Sequence, residues 1–312
     1  MRTQALRADV LMLITAMIWG SGFVAQRVGM DSIGPFLFTG LRFVLGALVL
    51  VPLLMLGARR EQPREPFMSR GVWVGGLSMG LALTLGINLQ QVGLLFTSVT
   101  NSGFITGLYV IIVPLLGLLI GHRAGAGIWL GAVMAVLGMG MLSIGENFSV
   151  ASGDWIQLAG AFVWGVHVVL VGFFVSRHDA LRLAFLQFAT CAVVSLLIAL
   201  LLEDIVWSAI VQAGPALLYG GVFAVGVGYT LQVVAQRHAI ASHAAIILSL
   251  EAVFAAIAGA LFLDESLTLR GYLGCALMFG GMLVAQLWPR APVSAGLREA
   301  PVEQAPELLE HR

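Results

Sequence analysis

Long apolar runs follow one another along this chain, separated by short breaks that hold most of its charged residues and several Pro and Gly. A helix needs about 20 mostly apolar residues to cross the hydrocarbon of a bilayer. Ten runs meet that length: 10–28, 35–57, 72–93, 97–120, 127–145, 156–176, 182–202, 215–235, 242–263 and 270–288. The pattern predicts an all-α integral membrane protein of ten transmembrane helices. Arg2 and Arg7 before the first run resemble the start of a secretory leader. The run from Val10 to Val28 is too long for a leader core, and no small-x-small cleavage site followed by a soluble region comes after it, so it reads as an uncleaved span.

Composition agrees with that picture. Hydrophobic residues make up 59% of the 312 and charged residues 10%, against about 25% charged in a soluble domain. So few charges leave an outer surface that must face something apolar, and lipid is the natural partner. The 38 glycines suit helices that pack through small side chains. Sixteen acidic and sixteen basic residues cancel, so no basic field points to nucleic acid. Every basic residue is Arg, which excludes a P-loop lysine and a lysine Schiff base. Cys191 and Cys275 sit inside apolar runs without CxxC or zinc spacing and read as small buried hydrophobes.

Arginine placement predicts the orientation. With the N-terminus in the cytoplasm, the inner segments hold Arg2, Arg7, Arg59, Arg60, Arg64, Arg70, Arg123, Arg177, Arg182, Arg237, Arg290, Arg298 and Arg312. The outer segments hold only Arg27 and Arg270, and Arg42 lies within a span. Both termini are therefore expected on the cytoplasmic side of a bacterial inner membrane. The outer loops instead carry Asp31, Glu146, Asp154, Glu203, Asp204, Asp264 and Glu265. Residues 289–312, rich in Pro, Ala and Glu, show no apolar face and are expected to form a disordered tail.

The chain also repeats itself. Trp19-Gly20 recurs as Trp164-Gly165 and Leu41-Arg42-Phe43 as Leu186-Gln187-Phe188, both 145 residues later. Leu89-Gln90 recurs as Leu231-Gln232 at an offset of 142, and Leu130-Gly131 with Gly138 as Leu273-Gly274 with Gly281 at 143. Matches in this order, with offsets this constant, divide the chain into a first repeat over 9–145 and a second over 155–288. Each repeat holds five spans, an odd number, so the second starts on the opposite face of the membrane. Inverted repeats of this kind build secondary transporters whose midplane site opens alternately to each side.

The succession Trp19-Gly20-Ser21, Leu41-Arg42-Phe43, Gly103-Phe104, Leu108-Tyr109 and Pro114, then Ala244-Ala245, Leu250-Glu251, Phe262, Glu265 and Gly274, resembles the EamA family of the drug/metabolite transporter superfamily, over about residues 9 to 286. The resemblance implies a ten-helix bundle that moves small metabolites or drugs across the bacterial inner membrane. Two positions depart from the family pattern. Glu251-Ala252 stands where Glu-Pro is usual, removing the proline that would break the helix there and weakening any argument for a gate. Gly121-His122-Arg123 stands where a Gly-Glu turn precedes the last helix of the repeat.

An ionisable residue within a span needs a reason, since it costs about 2.5–3.5 kcal/mol at the bilayer centre on insertion scales. Glu251 lies near the midplane and is a candidate proton carrier or partner for a substrate amine, because desolvation penalises its charged form; the alternative is a carboxylate paired across helices. Arg42, in the outer half of the second span, either contacts substrate or fixes helix packing through backbone carbonyls. His167 could titrate across neutral pH or donate a hydrogen bond to a neighbouring helix. Trp19 and Trp164, mid-span at equivalent points of the repeats, could line a cavity and stack on an apolar or cationic substrate, with Tyr109 and Tyr229 as further candidates; their alternative is plain packing. Asn101 opens the fourth span and joins the candidate substrate contacts, while Asn88, Gln90, Gln91, Gln232 and Gln236 are mostly accounted for by hydrogen bonds between helices.

These features point to a secondary transporter or facilitator, most simply an exporter, of small metabolites, amino acids or drug-like amphipathic molecules. No ATP site is visible, so energy would come from gradients or exchange, with protons as one coupling ion. Two other classes fit parts of the sequence. Gly76-Leu77-Ser78-Met79-Gly80 matches the G-x-S-x-G nucleophile pattern of a hydrolase, a motif that carries weight only at a strand-to-helix turn. A membrane scaffold or receptor would bind a partner protein but leaves the repeat unexplained.

Overall fold

The computed structural model describes residues 2–58, 69–119, 124–143, 152–265 and 268–288; the expected tail and the Gly121-His122-Arg123 turn lie outside them. Ten apolar helices account for nearly all of this: α1 (Arg2–Gly29), α2 (Pro35–Ala58), α3 (Arg70–Gly93), α4 (Val99–Leu119), α5 (Ala126–Ser143), α6 (Ser152–Val175), α7 (Ala180–Leu202), α8 (Gly214–Gln236), α9 (Ala241–Phe262) and α10 (Leu269–Leu287). Eight are long and apolar enough to cross a membrane outright, while α5 and α10 contribute shorter apolar stretches, Ala126–Gly138 and Leu269–Ala285. Apart from α1, which begins eight residues ahead of its run, each begins and ends within a few residues of the apolar run that predicts it. Helix is the form such runs must take, because lipid offers nothing to a free backbone N–H or C=O. Leucines such as Leu81, Leu85, Leu200, Leu201 and Leu261 stay exposed along the outside, where acyl chains would cover them.

Helix pairing follows the repeat. The partners α5 and α10 pack together, as do α2 and α7. The contact of α3 with α6 has its counterpart in α8 with α1, and that of α3 with α7 in α8 with α2. Likewise α4 meets α6 as α9 meets α1, and α4 meets α9. The main pairings are therefore their own image or have one, as expected of an all-α bundle of two inverted five-helix repeats.

Equivalent glycines let backbones of the two repeats approach closely. A Cβ on Gly131 would stand 2.6 Å from the Gly281 carbonyl oxygen, and one on Gly138 would stand 2.5 Å from that of Gly274. These four glycines are the pairs that the sequence repeat aligns, so the α5–α10 seam is two backbones in contact, related by the pseudo-two-fold axis. Gly20 does the same for α1 against α9, where a Cβ would lie 2.6 Å from the Glu251 carbonyl oxygen. The motif is small residues permitting close backbones.

Acidic residues of the loops close the helix ends. The Glu203 carboxylate accepts from Phe36 N and Leu37 N at 2.8 Å each, capping the start of α2. Glu265 accepts from Val99 N and Thr100 N at 3.2 Å each and from the Thr100 hydroxyl, capping α4. Both place negative charge where helix N–H groups are unsatisfied and the dipole is positive. Asp264 reaches this turn with φ 55°, a left-handed conformation that Asp tolerates better than most residues. At the opposite end of the bundle His243 Nε2 and Asp9 Oδ1 meet at 3.0 Å, tying α9 to α1.

Three helices are irregular in ways the sequence does not announce. In α4 the chain tightens at Leu108, where Leu108 N bonds to Ile105 O and Ile111 N to Leu108 O, both at 3.1 Å. In α9 it tightens at Ser249–Leu250, with i to i−3 bonds from Leu250 N, Ala252 N and Val253 N. The α9 interruption exists although Ala252 stands where the family has proline, so the helix breaks here without one. Its local partner is Ser249, whose hydroxyl donates to Ile246 O at 2.8 Å and competes with the helical ladder. The third irregularity is a π-helical stretch, Tyr219–Tyr229, within α8. Mid-helix turns of these kinds cluster at hinges and functional sites.

Candidate functional site

The two interrupted helices flank the centre of the bundle. Glu251 occupies the first turn after the break in α9, and Tyr109 the corresponding position after the break in α4. Between them is a cavity of about 30 Å³, bordered by Trp19, Phe23, Gln26, Arg42, Ile87, Gln90, Thr106, Tyr109, Trp164, Val168, Ala224, Tyr229, Gln232 and Glu251. Residues from both repeats contribute. A space of this size holds about one or two waters, so the structure is a closed form of the site.

Aromatic rings form its walls. Tyr229 stands at the hub, 4.4 Å from Trp19 and stacked 6.1 Å from Trp164, with Phe43 at 5.8 Å and Phe188 at 6.1 Å between ring centroids. Trp19 and Trp164 are repeat partners, and so are Phe43 and Phe188. The repeat counterpart of Tyr229 is Ile87, which borders the same cavity without a hydroxyl. The Trp19 indole N–H donates to Ala224 O at 3.0 Å across the α1–α8 contact. The two Trp residues thus face one shared space, as their equivalent positions suggest.

Charge enters this symmetric shell asymmetrically. Arg42 is 2% exposed, and its Nη2 donates to Gln26 Oε1 and Gln91 Oε1 at a long 3.3 Å each, while its Nε finds no partner. The guanidinium also lies 5.4 Å from the Phe38 ring and 5.6 Å from that of Phe43. In the second repeat the position is Gln187, which faces away to His167. Glu251 is 4% exposed, with the Tyr109 hydroxyl beside its carboxylate but outside strict hydrogen-bond geometry. Tyr229 lies within electrostatic reach of both Arg42 and Glu251. Among the described residues neither charged group is in an ion pair. Two neutral contacts are a thin replacement for water around a buried cation.

Placement of the sequence candidates is uneven. Trp19, Arg42, Tyr109, Trp164, Tyr229 and Glu251 all border the cavity. His167 does not; it is fully buried behind Trp164, with Nε2 2.9 Å from Gln187 Oε1. Asn101 lies in the first turn of α4, where its backbone N–H donates to the Ser98 cap at 3.0 Å, far along the chain from the break at Leu108. Conversely Gln26, Gln90, Thr106 and Gln232, read as packing groups or passed over in the sequence, border the cavity. Gln90 and Gln232 carried a usable signal, since the repeat aligns them. Ser78 sits inside the unbroken helix α3, where Gly76 and Gly80 pack on Leu186 and Thr190; the strand-to-helix turn that gives a nucleophilic serine its geometry is not what holds it.

Comparison with known proteins comes to the same place. The family model described as the EamA-like transporter family matches twice, over residues 6–144 and 151–286, one match per repeat. An uncharacterized transporter of Archaeoglobus fulgidus is 30% identical over 290 residues, covering 90% of this chain and 86% of that protein. The uncharacterized transporter YoaV of Bacillus subtilis is 25% identical, covering 86% of this chain and 92% of its own length. YedA of Escherichia coli, an uncharacterized inner membrane transporter, is 27% identical over half of this chain. A solved structure, described only as the crystal structure of a protein, superposes with a TM-score of 0.70 over 89% of this chain and 96% of its own, at 23% identity, and shows the shared fold.

Proposed function

We infer the activity from one premise: the chain belongs to the EamA-like transporter family and is a multi-pass membrane transporter. Beyond that premise, we propose that it carries small zwitterionic metabolites, amino acids first among them, through the central cavity. The inverted halves would open this cavity alternately to each face. The observation that carries the reading is the presence of Arg42 and Glu251 in one cavity, each without an ionic partner among the described residues. A substrate bearing a carboxylate and an ammonium satisfies both at once, and charge-assisted hydrogen bonds of this kind are the strong ones. Trp19, Trp164 and Tyr229 supply apolar faces for the rest of the molecule and a π surface for its cation.

The closed cavity is far smaller than the roughly 300 Å³ or more of ordinary ligand sites, so the halves must part before a substrate enters. The interruptions in α4 and α9 are the natural flexing points, since they lie at nearly equivalent positions of the two repeats and next to the site. Glu251 has two uses for one carboxylate: it holds a proton or it faces the substrate ammonium. That competition is the means by which a proton gradient would drive export. The bias of arginines to one set of loops supports a cytoplasmic N-terminus, and the similarity to YedA, an inner membrane transporter, supports the bacterial inner membrane as the location.

Purified protein in liposomes preloaded with an unlabelled amino acid is expected to accumulate the labelled one by counterflow, saturably. Flux of uncharged or purely cationic amphiphiles without any flux of amino acids would sink the zwitterion reading.

A further inference from the structure

The repeat makes an internal control available at the cavity. In the first half Gln90 Nε2 donates to Thr106 Oγ1 at 3.0 Å, joining α3 to α4 across the site. At the offset of 142 that aligns Gln90 with Gln232 and Tyr109 with Glu251, Thr106 matches Leu248 on α9, whose side chain has no hydroxyl to offer. The corresponding link is not made. The Ser249 hydroxyl is turned back into its own helix, donating to Ile246 O as part of the α9 break. Gln232 is left fully buried with neither Nε2 nor Oε1 hydrogen-bonded, on the wall of the cavity beside Glu251. A buried amide without partners is rare in folded proteins, and each such group calls for an explanation.

We propose that Gln232 is a specificity-determining residue, whose free amide reads a hydrogen-bonding group on the substrate side chain. The inference rests on the zwitterion reading above and adds to it. With Arg42 and Glu251 engaging the backbone groups common to all amino acids, a third polar contact distinguishes one side chain from another. An amide offers a donor and an acceptor on one edge, so its matching ligand class is a side chain with the same pair: a carboxamide, or a hydroxyl that can serve either way. Gln90 cannot play this part while it is held by Thr106. The break at Ser249–Leu250 sets Glu251 at a helix start, and the α9 position matching Thr106 is a leucine that leaves the Gln232 amide free.

The test compares L-asparagine with L-leucine, which have nearly the same shape, as competitors of a bound labelled amino acid on the full-length protein in detergent. The readout is the ratio of their apparent Kd values. Gln232→Met keeps the side-chain volume, with Gln232→Leu as the second variant should the first prove unstable. The preference for asparagine over leucine is expected to fall about tenfold in either variant, as loss of one partner of a buried hydrogen bond predicts. Leucine affinity should stay within about twofold, which also reports a folded site. A ratio unchanged from the parent would overturn the assignment. Failure of both amino acids to bind the parent protein would instead overturn the zwitterion reading, and this inference with it.

Discussion

Arg42→Met is expected to abolish measurable uptake while leaving the unliganded protein at least as heat-stable as the parent. The two effects have one cause. Arg42 is buried, held by two long hydrogen bonds to neutral amides, and without an ionic partner among the described residues. Such a cation is a cost to the empty fold, and replacing buried charge by an apolar side chain of similar length is often neutral or stabilising by about 1–4 kcal/mol. Losing the partner of a substrate carboxylate in the same site should cost about 2–5 kcal/mol of binding, or roughly 30- to 5,000-fold in affinity. Thermal unfolding and uptake, measured on one preparation, separate this account from a structural role for Arg42. A variant that loses heat stability and transport together would show that the arginine mainly holds α1, α2 and α3 in place.

Glu251→Gln is expected to uncouple flux from the pH gradient without stopping exchange. Glutamine keeps the shape and can still accept from a substrate ammonium, but it carries no charge and no exchangeable proton in the relevant range. In liposomes the parent should accumulate substrate faster when an inside-acid or inside-alkaline gradient is imposed in the driving direction, and the variant should show one rate in both conditions. Its counterflow should persist with affinity weakened about five- to thirtyfold, since a charge-assisted contact becomes a neutral one worth about 1–2 kcal/mol less. Gradient dependence that survives the substitution would move the proton carrier elsewhere.

The span limits were legible in the sequence because membrane helices are set by length and polarity alone, and the runs at 35–57 and 182–202 match α2 and α7 almost residue for residue. The inverted architecture was legible for a different reason. Gly131, Gly138, Gly274 and Gly281 recur because two backbones touch there, so sequence repetition reported a contact. Most of the cavity wall was not legible in the same way. A soluble helix reveals its inner face by apolar periodicity, but a helix with apolar neighbours on one side and lipid on the other shows no such stripe. Hence Asn101 and Gln26 look alike in the sequence, although one opens a helix and the other borders the cavity. The breaks at Leu108 and Ser249 were hidden too. Both are made by tight i to i−3 bonds, joined at Ser249 by its hydroxyl, and neither places a proline at the break.

The central claim is that the cavity between the repeats is the transport site and opens to one face at a time. The most direct measurement places a single thiol there. Ala224 borders the cavity and differs from cysteine by one sulfur, so Ala224→Cys can be examined after Cys191 and Cys275 are replaced by Ala. With the protein oriented in liposomes, a membrane-impermeant thiol reagent applied from either face in turn is expected to label this position, and a transported amino acid is expected to slow labelling from both. Reaction from one face only, at a rate that no substrate changes, would contradict the account.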